Sequence, residues 1–236
     1  DGTEVFCDYV VPACDMSVTF GRLLPREKMG SLLRQMYEDR RAYPVYNTFQ
    51  TAMAVDSPEN PLETETIWNC PELIFTKGMS ERVTVKSYAY EPGFAPAGKQ
   101  LIQTLQGGSE EVYSYWIRLY QDPVAYQRQK SLLAERTREM LEEHFPALRG
   151  RLRVLDAWTP MTYTRYCSAY KGFYQAFSIS KYSAKLPYPS AYVEGVENVV
   201  LAGQWLNPPG GLPGSATAGK FAIQRILKKE GKNFHL

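Results

Sequence analysis

Residues 198–220 read NVVLAGQWLNPPGGLPGSATAGK, and the reading of the whole chain turns on them. Asn198 to Ala202 is a short apolar run containing Val199 and Val200, the pattern of a strand covered on both faces. Gly203 ends it. Asn207 to Gly214 then holds three prolines and three glycines, too many for a regular element. Pro213 suits the first turn of a helix, where its missing N–H costs nothing. Beyond it Ala216, Ala218, Ala222, Ile223, Ile226 and Leu227 recur at helical spacing.

The predicted helix has no Asp or Glu between Pro213 and Lys220, while Lys220, Arg225, Lys228 and Lys229 lie towards its far end. That distribution leaves the partial positive charge of the amino end uncompensated and complements the dipole at the other. A bare helix start behind glycines that admit close backbone approach can meet an anion or an electron-rich ring. On local physics it is equally an ordinary strand–turn–helix corner. Gly210, Gly211 and Gly214 lack the spacing of a GxGxxG fingerprint, so the motif does not read as a first dinucleotide site.

The segment resembles the C-terminal flavin-contacting motif of the phytoene desaturase, carotenoid isomerase and retinol saturase group of FAD-dependent oxidoreductases. The matching residues are Ala202, Gly203, Pro209, Gly210, Gly211, Leu212, Pro213, Gly214, Ser215 and Ala216. Gln204 departs from the pattern, because many relatives of the wider FAD family carry Asp or Glu there. Three further stretches resemble blocks of the same group: SYAYEPGFAPAGK (87–99), with Glu91 where Asp is usual, DAWTPMTYTRY (156–166) and YKGFYQAF (170–177). YVVPACD (9–15) is similar to the strand and turn that lead out of the group's FAD domain.

The resemblance implies a flavin cofactor, FAD, contacted by Gly203, Gln204, Gly210, Gly211, Leu212, Pro213, Gly214 and Ser215. The N–H groups around Leu212 to Ser215 and the helix dipole would then stabilise negative charge on the ring. It also implies a hydrophobic, polyene or isoprenoid-like substrate lying against Arg165, Tyr166, Phe173 and Tyr174. Tyr166, Tyr170, Lys171 and Tyr174 are weak candidates for catalytic side chains, since the cofactor carries the chemistry in such enzymes. Desaturation, saturation and isomerisation are all open. From local sequence alone, each ring between 170 and 177 suits core packing as well as a substrate wall.

Composition narrows the alternatives. A net charge of +2 leaves no electrostatic footprint for nucleic acid. With only His144 and His235, a histidine metal centre or a Ser-His-Asp triad lacks raw material. Cys7, Cys14, Cys70 and Cys167 show neither CxxC nor framework spacing and read as buried, reduced thiols of a cytoplasmic protein, compatible with peripheral membrane contact. Seventeen tyrosines and ten phenylalanines suit a wide apolar cleft as well as a core.

Along the chain, Asp1-Gly2 reads as a hairpin turn and Thr3 to Val11 as a strand. A hairpin needs a preceding strand, so the sequence is expected to start inside a domain. No GxGxxG unit occurs in it. A helix is expected over Arg26–Tyr43, with Met29, Leu32, Leu33, Met36 and Arg40 on one face. Strands are expected over Tyr46–Val55, Thr64–Cys70, Arg82–Tyr90, Lys99–Gln106 and Leu152–Trp158, and a polar loop over Ser57–Pro61. Asp122-Pro123 should open a helix reaching Phe145, with Leu132, Leu133, Met140, Leu141 and Phe145 inward. Its Glu135, Arg136, Arg138, Glu139, Glu142 and Glu143 read as a solvated face.

The expected fold class is α+β. A mostly antiparallel sheet with packed helices forms a substrate-binding domain (44–189). Residues 1–43 and 190–236 form the C-terminal part of an FAD/NAD(P)-binding, Rossmann-like domain. Lacking a GxGxxG unit, the chain is expected to be inactive alone, with FAD absent or incompletely bound. The alternative reading is a catalytically incompetent module that binds a hydrophobic ligand or partner without FAD.

Overall fold

The computed structural model describes residues 2–56, 62–183 and 188–233. The chain divides into two units, Asp1–Val45 with Tyr166–Leu236, and Tyr46–Arg165. The expected loop Ser57–Pro61, residues 184–187 of the connection to the last strand, Asp1 and His235 lie outside the described residues.

The first unit opens with residues 3–9, which form no strand, contrary to the expectation for Thr3–Val11. Val5 is 79% and Phe6 95% exposed, so the run has no core face to bury. Only Val10 to Pro12 pairs, in parallel, with the last strand. A short helical turn, α1 (Met16–Val18), follows. The helix expected over Arg26–Tyr43 is broken into a 3-10 turn, Arg26–Lys28, and helix α2 (Ser31–Glu38). Gly30, extended at ψ 149°, separates them. Asp39 ends α2 by accepting from the N–H groups of Arg41 (3.1 Å) and Ala42 (2.9 Å). Met29, Leu33 and Met36 are buried as the helical spacing requires, whereas Arg40 lies beyond the helix.

In the second unit, β1 (Asn47–Val55) is the central strand and nearly every residue in it is buried. β2 (Glu65–Asn69), β3 (Met79–Ser87) and β4 (Gln100–Gly108) follow. Helices α3 (Glu110–Leu119) and α4 (Pro123–His144) precede β5 (Leu152–Trp158) and α5 (Pro160–Cys167). The sheet is antiparallel throughout, in the order β2-β3-β4-β1-β5. β1 and β4 pair without interruption from Asn47↔Gly108 to Val55↔Gln100. β5 slips beside Ala52 and Met53, leaving Leu155 as an extra residue. Gly108 lets α3 start against the sheet, because a Cβ there would lie 2.3 Å from Val112 Cγ2.

Phe49, Val112, Trp116, Leu133 and Ala157 pack between sheet and helices, and Met53, Val85, Ile102, Leu141 and Leu148 form a neighbouring cluster. Helix α3 was not expected from sequence. Its only prior signs are Ser109 ahead of Glu110 and Glu111, and Val112 and Trp116 one turn apart. α4 is capped by Asp122, whose carboxylate accepts from Val124 and Ala125 N–H. Arg138 joins Glu135 and Glu142 on its solvated face. Leu132, expected inward, is 59% exposed, because Leu133, Thr137 and Leu141 form the buried row.

The first unit resumes with β6 (Tyr192–Val193), which pairs antiparallel with β7 (Val196–Val200), and helix α6 (Gly211–Lys229). Residues 166–183, expected in the middle domain, belong to this unit. Ser178 N–H binds Pro44 O (3.0 Å) and Ser180 N–H binds Ala42 O (3.2 Å). Cys70 is buried, but Cys7 and Cys167 are exposed, unlike the expected buried thiols. Among the described residues no helix is long and apolar enough to cross a membrane.

Leu141→Ala should cost about 2–5 kcal/mol of unfolding free energy through the cavity it leaves. Leu132→Ala, one helix residue out of the buried row, should change it by less than about 0.5 kcal/mol. Urea titration of both variants, followed by circular dichroism, checks the orientation of α4; equal losses would contradict it.

Candidate functional site

The start of α6 is built from β7 onward. Val10 O accepts from Val200 N–H (3.1 Å) and Pro12 O from Ala202 N–H (3.0 Å), which holds the two segments in parallel. Gly203 follows at φ 96°, with room for its backbone only: a Cβ would sit 2.9 Å from Ala13 O. Trp205 and Leu206 are buried, anchoring the turn. The Pro208–Pro209 peptide is cis. Gly210 and Gly211, at φ 84° and 79°, then bring the chain into α6. Gly210 is required by the protein's own packing, since a Cβ would meet those of Ala176 and Gln204 at 2.9 Å. Gly211 would meet only Gln175 Nε2, at 3.5 Å, and Pro213 Cδ, at 4.0 Å, so its outer side is open.

The helix start is less bare than the sequence implies. Gly210 N–H binds Asn207 O (2.8 Å), and Gly211 N–H binds Gln204 Oε1 (3.2 Å). Pro213 has no N–H. Leu212 N–H is the one first-turn donor with no partner among the described residues, and the Leu212 side chain is 88% exposed. No acidic residue lies in the first turn, and Lys228 and Lys229 close the last. The Gln204 amide therefore caps one donor without cancelling the positive end of the dipole. Asn207 Nδ2 donates to Gly214 O (3.4 Å), bracing the turn from the other side.

Behind this turn lies an aromatic cluster. Phe173 is 1% exposed, with ring centroids 5.4 Å from Tyr170, 5.2 Å from Phe177 and 5.7 Å from Trp205. Its ring is core, the packing alternative of the two that the sequence left open. Tyr170 and Tyr174 are half-buried, whereas Tyr166 is 72% exposed and Arg165 is exposed at the end of the other unit. Lys171 lies over the Tyr170 ring, and its backbone, like that of Ser168, is left-handed at φ 49° and 51°. Two non-glycine residues in that region, three positions apart, mark local strain around Tyr170.

The strain is held by a residue whose role the sequence did not disclose. Asp15, 3% exposed, accepts at Oδ1 from Ser17 N–H (2.8 Å), Ser17 Oγ (2.7 Å) and Tyr37 Oη (2.8 Å), and at Oδ2 from Tyr170 N–H (2.7 Å). Burial, with the carboxylate beside it, holds the Tyr37 phenol well above the ordinary tyrosine range, so it remains a donor. Arg40 covers the outer side, its guanidinium 5.5 Å from the Tyr170 centroid and 5.1 Å from that of Phe177. The sequence signal was an Asp followed by Ser two positions on, at a strand end, which is an ordinary capping pattern.

Tyr37→Phe should cost about 1–3 kcal/mol at neutral pH by removing one donor from a buried carboxylate. The folded pKa is raised, so the contribution of Tyr37 is complete below its unfolded value near pH 10 and is lost as pH rises towards the folded value. Wild type should lose up to about 1.4 kcal/mol more per pH unit than Tyr37→Phe above that point. Urea titrations at neutral and alkaline pH measure this; parallel curves would contradict the arrangement.

No protein-family model matches this sequence, and no curated protein matches it.

Proposed function

We propose that the chain belongs to an FAD-dependent oxidoreductase of the phytoene desaturase, carotenoid isomerase and retinol saturase type, acting on a hydrophobic polyene or isoprenoid substrate. The observation that carries this reading is the start of α6. A pair of positive-φ glycines leads into a long helix with no carboxylate in its first turn and a Leu212 N–H that has no partner among the described residues. This arrangement fits an electron-rich ring that gains negative charge on reduction. The parallel pairing of Val10 with Val199 supports it too, since parallel strands belong mainly to α/β sheets.

The residues divide into two roles under this reading. Gly203, Gln204 and Gly210 shape the turn, and Gly211, Leu212 and Pro213, with Gly214 and Ser215 behind them, face the cofactor. FAD, when bound, would exchange a hydride with the substrate. The protein supplies position and field: Leu212 N–H and the helix dipole favour negative charge, and Gln204 keeps Gly211 in place. Tyr166, Tyr170 and Tyr174 are the rings with surface left to meet a ligand. Phe173 acts behind them.

Purified protein should show the two-banded absorption of an oxidised flavin, or acquire it on titration with FAD. Gly211→Ala places a side chain at φ 79° and should weaken FAD binding about tenfold. Gly219→Ala, where a Cβ meets open space, should leave it unchanged. Protein that stays colourless and takes up no FAD would favour a hydrophobic-ligand module instead.

A further inference from the structure

The two faces of the five-stranded sheet treat polar side chains differently. On the face packed by α3 and α4, the buried Thr51 and Thr104 hydroxyls bond to each other at 2.7 Å. The opposite face carries Gln50, Gln103, Lys86 and Trp158, which the strand register brings side by side. There Tyr88 Oη donates to Gln103 Oε1 (2.7 Å), and Gln103 Nε2 donates to Gln50 Oε1 (2.7 Å). Gln50 Nε2 donates in turn to Tyr163 Oη (2.6 Å) and Thr48 Oγ1 (2.8 Å). Every bond in the chain runs the same way.

That polarity has a chemical consequence. Gln50, 3% exposed, uses its amide oxygen and both amide hydrogens. Gln103 Oε1 is taken by Tyr88, and one Nε2 hydrogen is spent on Gln50. The second Nε2 hydrogen has no partner among the described residues, and Gln103 is half-exposed. Lys86 lies directly across the ladder from it, tied only loosely to Glu65 at 3.7 Å. Leu101 and Leu105, also half-exposed, flank Gln103 on its own strand and face. The result is an oriented donor, with a cation beside it, set in an aliphatic surface.

We propose that this face holds the oxygen-bearing end of an otherwise hydrophobic ligand. Gln103 Nε2 donates to that oxygen with Lys86 alongside, and Leu101 and Leu105 lie against the hydrocarbon. The inference rests on the hydrophobic-substrate part of the function proposed above and narrows it. A plain hydrocarbon would strip water from Gln103 and return no hydrogen bond, whereas an aldehyde, ketone or alcohol would replace the bond it displaces.

Equilibrium dialysis of the whole chain, without added FAD, against farnesal and farnesene tests this, because the two share an isoprenoid chain and differ in the terminal aldehyde. Farnesal should bind about tenfold more tightly. Gln103→Leu, and separately the isosteric Gln103→Glu, should abolish that preference. Farnesene binding to Gln103→Leu should persist, which also reports that the variant is folded. Equal binding of the two probes to wild type, binding of neither, or a preference that survives both substitutions would overturn the proposal. Flavin binding is read separately, so aldehyde selectivity in a colourless protein would sink the oxidoreductase reading alone. A flavin spectrum without selectivity would sink this one alone.

Discussion

The first unit is organised around the buried carboxylate of Asp15. Taking such a charge out of water costs several kcal/mol unless its lone pairs are filled. Asp15 fills them with two backbone N–H groups and two hydroxyls. The donors come from three residues, each serving a different requirement of the fold. Ser17 starts the turn after the parallel segment, Tyr37 brings in α2, and Tyr170 N–H pins a strained stretch 155 residues away in sequence. Filling one carboxylate therefore joins three separate pieces of chain.

The start of α6 depends on that junction. With Tyr170 fixed, Phe173, Ala176 and Phe177 become core, and Trp205 packs on the two phenylalanines. Ala176 and Gln204 then leave space at Gly210 for backbone only, which sets where the helix can begin. Gln204 adds a second constraint. As an amide it can accept from Gly211 N–H while contributing no net charge, where a carboxylate would oppose the positive end of the dipole. Under the proposed function, Gln204 in place of an acid leaves the field of the helix intact.

Periodicity and punctuation made much of this legible. β1, β5 and α4 follow from the strand-favouring runs at Tyr46–Val55 and Leu152–Trp158 and from the Asp122-Pro123 start, whereas the inward row of α4 was read only in part, at Leu133 and Leu141. α3 escaped because Val112, Tyr113, Tyr115, Trp116 and Ile117 favour strands as readily as helices, and only packing against Phe49 settles the matter. Thr3 to Tyr9 erred the other way, since a strand-favouring run needs a partner sheet to become a strand. The candidate site was half visible: the glycines and the missing acids could be read, but not which first-turn donors the chain uses itself. Asp15, Gln204 and the Gln103 chain act through contacts distant in sequence, which one sequence does not display.

The most direct measurement of the central claim is the backbone amide spectrum of isotope-labelled protein during addition of FAD. If α6 begins where a flavin lies, the amides of Gly211, Leu212 and Gly214 should shift most, with Leu212 leading because its N–H has no partner among the described residues. FAD that binds while these resonances stay still, or that perturbs only the five-stranded sheet, would contradict the account.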